Sequence, residues 1–185
     1  MSTVLLCYAS HDGHTRRIAE RMAARIAGRG LAVDLADLAQ RQPAAAEIDA
    51  AAAVAVVAAI RYGHHLPPAR TFLTRNRARL AEKPLAAISV NLTARKPEKR
   101  TVAGSVYLRK WLKEAELAPQ LAEAVAGRLD YPSYRWFDRQ MIRLIMRITG
   151  GPTDPSAVIE YTDWNAVDRL GDEIAELAGA QTSGA

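Results

Sequence analysis

The chain has 185 residues and a mass of 20.2 kDa, and 49% of its residues are hydrophobic and 24% charged. These proportions exclude an intrinsically disordered or collagen-like chain. The single cysteine, Cys7, excludes an intramolecular disulfide and is typical of a reducing compartment. The longest apolar run, Ala50–Ile60, has 11 residues, whereas a membrane-spanning helix needs about 20. We therefore expect a cytoplasmic protein, or one attached to a membrane from its cytoplasmic side.

Charge is distributed unevenly along the chain. Residues 61–113 contain thirteen Lys or Arg and two Asp or Glu, a net charge of +11, whereas residues 151–185 carry a net charge of −6. A local positive field attracts anionic partners such as nucleic acid, an anionic membrane surface or a carboxylate-bearing substrate. A solvated helix face would explain part of this charge. It explains residues 95–100 less well, because Pro97 favours a loop there.

In chain order, strand-like apolar runs alternate with amphipathic helices. Strands are predicted at Thr3–Tyr8, Leu31–Leu38, Ala53–Ile60, Leu85–Val90 and Leu121–Ala126, and helices at Thr15–Gly28, Pro67–Leu80, Ala103–Leu117 and Asp163–Ala178. The alanine content of the third run also allows a helix, but its β-branched residues favour a strand. The alternation predicts an α/β fold with a five-stranded parallel sheet covered by helices on both faces, which resembles flavodoxin-like proteins. We expect one domain over residues 1–180, including an insertion at 131–151, and a flexible tail at 181–185.

Ligands of such sheets bind outside the carboxyl ends of the strands, so the loops there are informative. The first loop consists of Ser10, His11, Asp12, Gly13, His14 and Thr15. It opens a helix, so its backbone N–H groups, the helix dipole and two hydroxyls predict a phosphate site. An ordinary helix-capping turn is the alternative. No metal site is expected, because the two histidines lack a carboxylate or thiol partner at metal-like spacing.

Two later loops are also predicted to lie at the carboxyl ends of strands, at the same edge of the sheet. One contains Arg61, Tyr62 and Gly63, whose aromatic ring beside a glycine suits a flat ring system, although a surface turn is equally compatible. The other contains Asn91, Leu92, Thr93, Ala94 and Arg95. A phosphate loop combined with polar and aromatic loops of the same sheet predicts an FMN site.

Residues 134–149 are the most unusual stretch. Arg135, Arg139, Arg143 and Arg147 recur at four-residue spacing, and on a helix the apolar residues from Phe137 to Ile148 lie nearly opposite them. Trp136 falls among the arginines. The pattern predicts a basic amphipathic helix, which either covers the protein core or contacts a membrane or partner.

Several motifs resemble one bacterial enzyme family, the menaquinone-dependent protoporphyrinogen IX dehydrogenases. They are Arg61–His64, Ser89–Thr101, Tyr131–Arg139, Thr149–Gly151 and Tyr161–Trp164. The resemblance covers nearly the whole chain. It implies FMN as cofactor, protoporphyrinogen IX as electron donor and a membrane quinone, menaquinone or ubiquinone, as acceptor.

Roles for individual residues follow from this resemblance. Lys96, Lys99 and Arg100 would meet the substrate's propionates, and a cation such as Arg95 would stabilise an anionic reduced flavin. Arg135, Trp136, Arg139, Arg143 and Arg147 would contact an anionic membrane surface. His64 is the first candidate for a general base, although a loop residue contacting phosphate or water is an equal alternative. No nucleic-acid partner is expected, and a homo-oligomer is left open.

Two other functions of the same fold compete with this interpretation. One is an NAD(P)H:quinone or FMN reductase, which would oxidise NAD(P)H directly. The other is a flavodoxin-type electron carrier without its own substrate. A carrier would usually be acidic and would lack the 131–151 insertion.

Overall fold

A computed structural model describes residues 2–180, and the tail at 181–185 lies outside the described residues. The strands are β1 (Thr3–Ala9), β2 (Ala32–Asp37), β3 (Ala53–Arg61), β4 (His64–His65), β5 (Leu85–Val90), β6 (Leu121–Val125), β7 (Arg128–Asp130) and β8 (Val158–Glu160). The helices are α1 (His14–Gly28), α2 (Ala45–Ala50), α3 (Pro67–Arg75), α4 (Arg77–Ala81), α5 (Val106–Ala115), α6 (Trp136–Ile148) and α7 (Trp164–Ala180). Short 3₁₀ turns lie at Leu92–Arg95, Pro97–Lys99 and Tyr131–Ser133.

The main sheet has the order β2-β1-β3-β5-β6 with every one of these neighbours parallel, which confirms the predicted five-stranded sheet. Strands β1, β3 and β5 are almost wholly buried, as continuous apolar runs require when helices cover both faces. The chain moves outward from β1 to β2 and then returns to β3 on the other side. The connections diverge at this point, so a crevice forms beyond the carboxyl ends of β1 and β3.

Helices cover the sheet as two layers. On one face, Ile18 and Met22 of α1 pack in the same apolar cluster as Ile174 of α7. On the other face, Phe72 of α3 and Trp111 of α5 share a second cluster. The regular spacing of apolar residues in each helix produces these two half-cores.

Several helix limits differ from those predicted. The helix expected over 67–80 breaks at Asn76, whose side-chain amide donates to the carbonyl of Phe72 and competes with helix continuation. Helix α5 begins later than expected because the Ser105 hydroxyl accepts from the N–H of Leu108 and caps it. Asp163 caps α7, because its carboxylate accepts from the N–H of Ala166 at 3.1 Å.

The insertion folds around its own small core. The flanking strands β7 and β8 form an antiparallel pair that the sequence did not predict, and α6 lies between them in the chain. Buried Leu129, Tyr131 and Met146 pack together beneath α6. Helix α6 begins at Trp136, not at Tyr134, because the 3₁₀ turn at Tyr131–Ser133 comes first.

Candidate functional site

A cavity lies beyond the carboxyl ends of β1, β3 and β5, and α6 forms its opposite wall. The predicted site residues that line it are His11, Asp12, His14, Thr15, Arg61, Tyr62, Gly63, Asn91, Leu92, Thr93 and Arg135. The predicted residues outside its lining are Ser10, Gly13, His64, Ala94, Arg95, Lys96, Lys99, Arg100, Trp136, Arg139, Arg143 and Arg147. Three loops distant in sequence therefore meet at one site, as the parallel sheet requires.

The first loop has polar atoms without a protein partner. Gly13 has φ +80°, and no protein atom lies within 4 Å of the position that a Cβ would take there. The buried Ser10 hydroxyl and His14 Nδ1 have no hydrogen-bond partner among residues 2–180. A helix N-terminus, a free hydroxyl and open space at a glycine suit a phosphate group.

The protonation of His14 follows from its contacts. Thr162 Oγ1 donates to the carbonyl of Ala126 at 2.9 Å, so it accepts from His14 Nε2 at 2.7 Å. Burial, together with the positive charges of Arg17 and Arg128, lowers the pKa of His14. The neutral ring thus keeps Nδ1 as a buried acceptor, which suits a hydroxyl donor.

The turn after β3 presents an aromatic ring at the cavity. Tyr62 and Gly63 have φ +52° and +78° and connect β3 to β4 as a two-residue hairpin. Two consecutive positive φ values match the twist of such hairpins and favour glycine at the second position. The turn leaves the Tyr62 ring 54% exposed, with the Arg61 guanidinium 5.2 Å from its centre.

Asp138 of α6 connects the insertion to this turn. Its carboxylate accepts from Arg61 Nη2 at 2.6 Å and from the hydroxyl of Tyr62. The other terminal nitrogen of Arg61 contacts His11 Nε2. Asp138 was not among the predicted site residues, because its role depends on a contact with a residue 77 positions away in the chain.

The turn after β5 is held by a buried polar network. The Asn91 side chain accepts from Thr93 Oγ1 and the N–H of Ala94, and donates to Ser89 Oγ at 3.0 Å. Ser89 Oγ lies 2.8 Å from Nε2 of His65, which stacks on Trp111. Burial lowers the pKa of His65 to about 3, so its ring is neutral. The Asn91 side chain is thus committed to the turn itself.

The basic loop, residues 95–100, lies outside the cavity lining. Arg95 donates to the carbonyls of Leu92 and Thr149 and so fastens the β5 turn to the end of α6. Arg100 donates to the carbonyl of Ala94. The side-chain amino groups of Lys96 and Lys99 have no hydrogen bond or ion pair among residues 2–180. None of these four cations belongs to the cavity lining.

The central arginines of α6 contact the protein itself, whereas much of the apolar side of the helix is exposed. Arg139 donates to the carbonyls of Tyr131 and Tyr134, and Arg143 to that of Thr153. The apolar side is the more exposed one. The exposed fraction is 61% for Phe137, 54% for Leu144 and 76% for Ile148, and it is 72% for the neighbouring Trp136. Arg139 and Arg143 therefore support the insertion, and Arg135 and Arg147 are the exposed ends of the stripe.

Comparisons with known proteins agree with this architecture. The flavodoxin domain family matches residues 5–156. Protoporphyrinogen IX dehydrogenase (quinone) of Escherichia coli K12 is 40% identical over 183 residues, covering 98% of this chain and 99% of that protein. The Leishmania major protein of the same name is 38% identical over 175 residues, covering 94% of this chain and 74% of that protein.

Solved structures share the fold. Rubredoxin oxygen:oxidoreductase of Desulfovibrio gigas has a TM-score of 0.61 at 16% identity, over all of this chain and 38% of that one. Oxidised flavodoxin 1 of Bacillus cereus has a TM-score of 0.58 at 18% identity, over 95% of this chain and 98% of that one. A flavin is the cofactor that this domain implies. Because the identity to the dehydrogenases extends over nearly the whole chain, this protein belongs to the flavodoxin-like, quinone-dependent protoporphyrinogen IX dehydrogenase family.

Proposed function

We propose that the protein oxidises protoporphyrinogen IX to protoporphyrin IX with FMN as cofactor and a membrane quinone as electron acceptor. The names of its relatives support this reaction. The observation that carries the proposal is the composition of the cavity wall. Loops that suit a flavin form one side of it, and Met141, Ile142 and Ile145 of α6 form the other. The same helix leaves Phe137, Leu144 and Ile148 exposed outside the cavity.

The chain's own residues would hold the cofactor and exclude water. The loop at residues 10–15 would receive the phosphate, and neutral His14 would accept from a hydroxyl of the ribityl chain. Tyr62 would pack on the flat ring, and Asp138 would keep Tyr62 and Arg61 in place. Bound FMN would supply the redox chemistry between the porphyrinogen and the quinone.

His64, the candidate general base, is not part of the cavity lining. His64 is exposed and lies one residue beyond the Tyr62–Gly63 turn, and it stays our candidate for accepting a proton that leaves the site. Its replacement by Gln should lower turnover without lowering FMN affinity. A proton released directly to water would leave turnover unchanged in that variant.

We further propose that α6 attaches the protein to the cytoplasmic face of the membrane. No helix within residues 2–180 is long and apolar enough to span a bilayer. Phe137, Leu144 and Ile148 would enter the interface between headgroups and acyl chains, and the exposed Arg147, which lies outside the cavity lining, would contact anionic headgroups. This arrangement brings the cavity, of which α6 is a wall, next to the layer that holds the quinone.

Anaerobic turnover tests the proposed function. FMN-loaded protein is mixed with protoporphyrinogen IX, and porphyrin fluorescence is followed with menaquinone, with ubiquinone and without a quinone. Sustained formation of porphyrin only with a quinone is the expected result. Oxidation of NADPH in place of the porphyrinogen would identify a reductase, and no turnover of either donor would identify an electron carrier.

A further inference from the structure

The cavity contains a cationic group that the protein itself does not neutralise. Arg61, Arg128 and Arg135 line it, together with the acids Asp12 and Asp138. Arg61 is paired with Asp138 at 2.6 Å. Arg128 Nη2 lies 2.8 Å from Asp130. The guanidinium of Arg135 has no hydrogen bond or ion pair within residues 2–180, although its side chain borders the cavity.

Arg135 differs in this respect from the other arginines near the site. Those of the α6 stripe that lie between its ends are bound to backbone carbonyls, as is Arg95. The exposed Arg147 is free as well but lies outside the cavity lining. Arg135 is thus the cavity-lining arginine whose donors are available to a ligand.

The turn between β7 and α6, which connects Arg128 to Arg135, is held by hydrogen bonds. The Tyr134 hydroxyl accepts from the N–H of Asp130 at 3.2 Å and lies 3.3 Å from the carbonyl of Arg128. Buried Tyr131 anchors the turn by donating to the carbonyl of Pro152 at 2.8 Å. The backbones at both arginines are therefore fixed by hydrogen bonds before a ligand binds, which reduces the entropy cost of binding.

From this placement we infer that Arg135 binds a propionate carboxylate of the tetrapyrrole, and that Arg128, which lines the same cavity but is paired with Asp130, has a secondary role. The inference rests on the proposed function and replaces the basic loop as the point of carboxylate contact. Guanidinium groups bind carboxylates through two parallel hydrogen bonds, and such charge-assisted pairs are strong where water is partly excluded. Lys96, Lys99 and Arg100 lie outside the cavity and would act at longer range.

Binding of the stable product tests this inference without turnover. The FMN-loaded protein is titrated with protoporphyrin IX and, in the same detergent-containing buffer, with its dimethyl ester, which lacks the carboxylates. The variant Arg135→Gln should raise the Kd for the dicarboxylate about tenfold, equivalent to about 1.4 kcal/mol. It should leave the Kd for the ester and for FMN within about twofold. Arg128→Gln should show a smaller change with the same selectivity.

The matched control is Arg75→Gln, an exposed arginine of α3 that lies outside the cavity lining and whose guanidinium has no hydrogen bond or ion pair within residues 2–180. It should change neither Kd. An unchanged Kd for the dicarboxylate in Arg135→Gln, or an equal loss for acid and ester, would overturn the assignment. So would wild-type protein that does not distinguish the acid from the ester. Quinone-dependent turnover of the wild type reports separately on the proposed function.

Discussion

At the scale of single residues, two glycines that flank α1 allow the effect of backbone strain on stability to be distinguished from the effect of ligand contact. Gly13 precedes the helix and Gly30 follows it, with φ +80° and +82°. A Cβ at either position would meet no protein atom within 4 Å. A substitution therefore causes similar strain at both positions, but only Gly13 belongs to the proposed phosphate loop.

We predict that Gly13→Val and Gly30→Val each lose about 1–3 kcal/mol of unfolding free energy, because a β-branched residue is strained at positive φ. FMN affinity should fall at least about tenfold in Gly13→Val alone, because the side chain would enter the space that the phosphate needs. Urea unfolding of the FMN-free proteins and fluorescence titration with FMN measure the two effects. Full FMN affinity in Gly13→Val would exclude this loop as the phosphate site.

His65 provides a test of burial at the β5 turn. Its pKa is lowered to about 3 by burial and by the nearby Arg70 and His64, whereas an unfolded histidine has a pKa near 6.5. Between these two values the unfolded chain binds a proton that the folded chain does not. Folding stability should therefore decrease as the pH falls below about 6.5.

His65→Gln removes this contribution to the pH dependence of folding stability. Its unfolding free energy should depend less on pH, by up to about 1.4 kcal/mol per pH unit between about pH 6 and pH 4.5. Denaturant titrations across this range give the slope for each protein, and equal slopes in the wild type and in His65→Gln would show that His65 titrates normally in the folded state.

At the scale of elements, α6 is held by its polar side and leaves apolar groups exposed. Arg139 and Arg143 bind carbonyls on both flanks of the helix, and Met146 fills the small core beneath it. The outward-facing Phe137, Leu144 and Ile148 cover nothing within residues 2–180 that would bury them. A membrane interface is the surrounding that this arrangement suits.

We predict that Leu144→Ser combined with Ile148→Ser abolishes sedimentation with anionic vesicles while the protein stays folded, because both side chains are exposed. Val106→Ser is the control, since Val106 is 61% exposed but lies on α5. Turnover with a long-tailed quinone should fall in the double variant, and turnover with a water-soluble acceptor should not. Vesicle binding equal to that of the wild type, with circular dichroism confirming the fold, would refute docking through this face.

At the scale of the whole molecule, ion pairs redistribute the charge of the sequence. The acidic residues of α7 face the arginines of α1, with Arg21 bidentate to Asp168 at 2.6 and 2.7 Å and Arg29 3.0 Å from Asp172. Asp168, Asp172 and Glu176 are thus matched by arginines of α1 and of its C-terminal cap. Among the described acids of residues 151–180, Asp163, 3.6 Å from Arg100, is the one that pairs with the basic segment 61–113.

We predict that the positive field of residues 61–113 accelerates the approach of the anionic substrate. Lys96→Ala combined with Lys99→Ala should lower kcat/KM for protoporphyrinogen IX at low ionic strength, and the deficit should disappear near 0.5 M salt because exposed charges are screened. The deficit of Arg135→Gln should persist at that salt concentration, because it reflects a direct contact. If the double variant showed the same deficit at both salt concentrations, contact rather than steering would be its cause.

The sequence by itself determined the sheet, the helices that cover it and the place of the site. The apolar runs of β1, β3 and β5 have strand length and few polar residues, and the β-branched residues of β3 favour a strand over the helix that its alanines also allow, so the three runs predict buried strands of a parallel sheet. Parallel strands bring their carboxyl ends to one edge, and the loops at residues 10–15, 61–63 and 91–95 were therefore predicted together, although Ala94 and Arg95 lie outside the cavity lining. Local chemistry was sufficient for these features because each depends on neighbours in the chain.

Only the tertiary structure decided which way the side chains of the insertion face and which cations reach the cavity. An arginine stripe on an isolated helix has the same pattern whether it binds lipid or backbone carbonyls. The carbonyls of Tyr131, Tyr134 and Thr153 that receive Arg139 and Arg143 become available only once the insertion has folded. Likewise, Asp138 and Arg61 are 77 positions apart, and periodicity has no information about a contact at that distance. Long-range hydrogen bonds between buried or half-buried groups thus assigned the roles that composition and spacing left open.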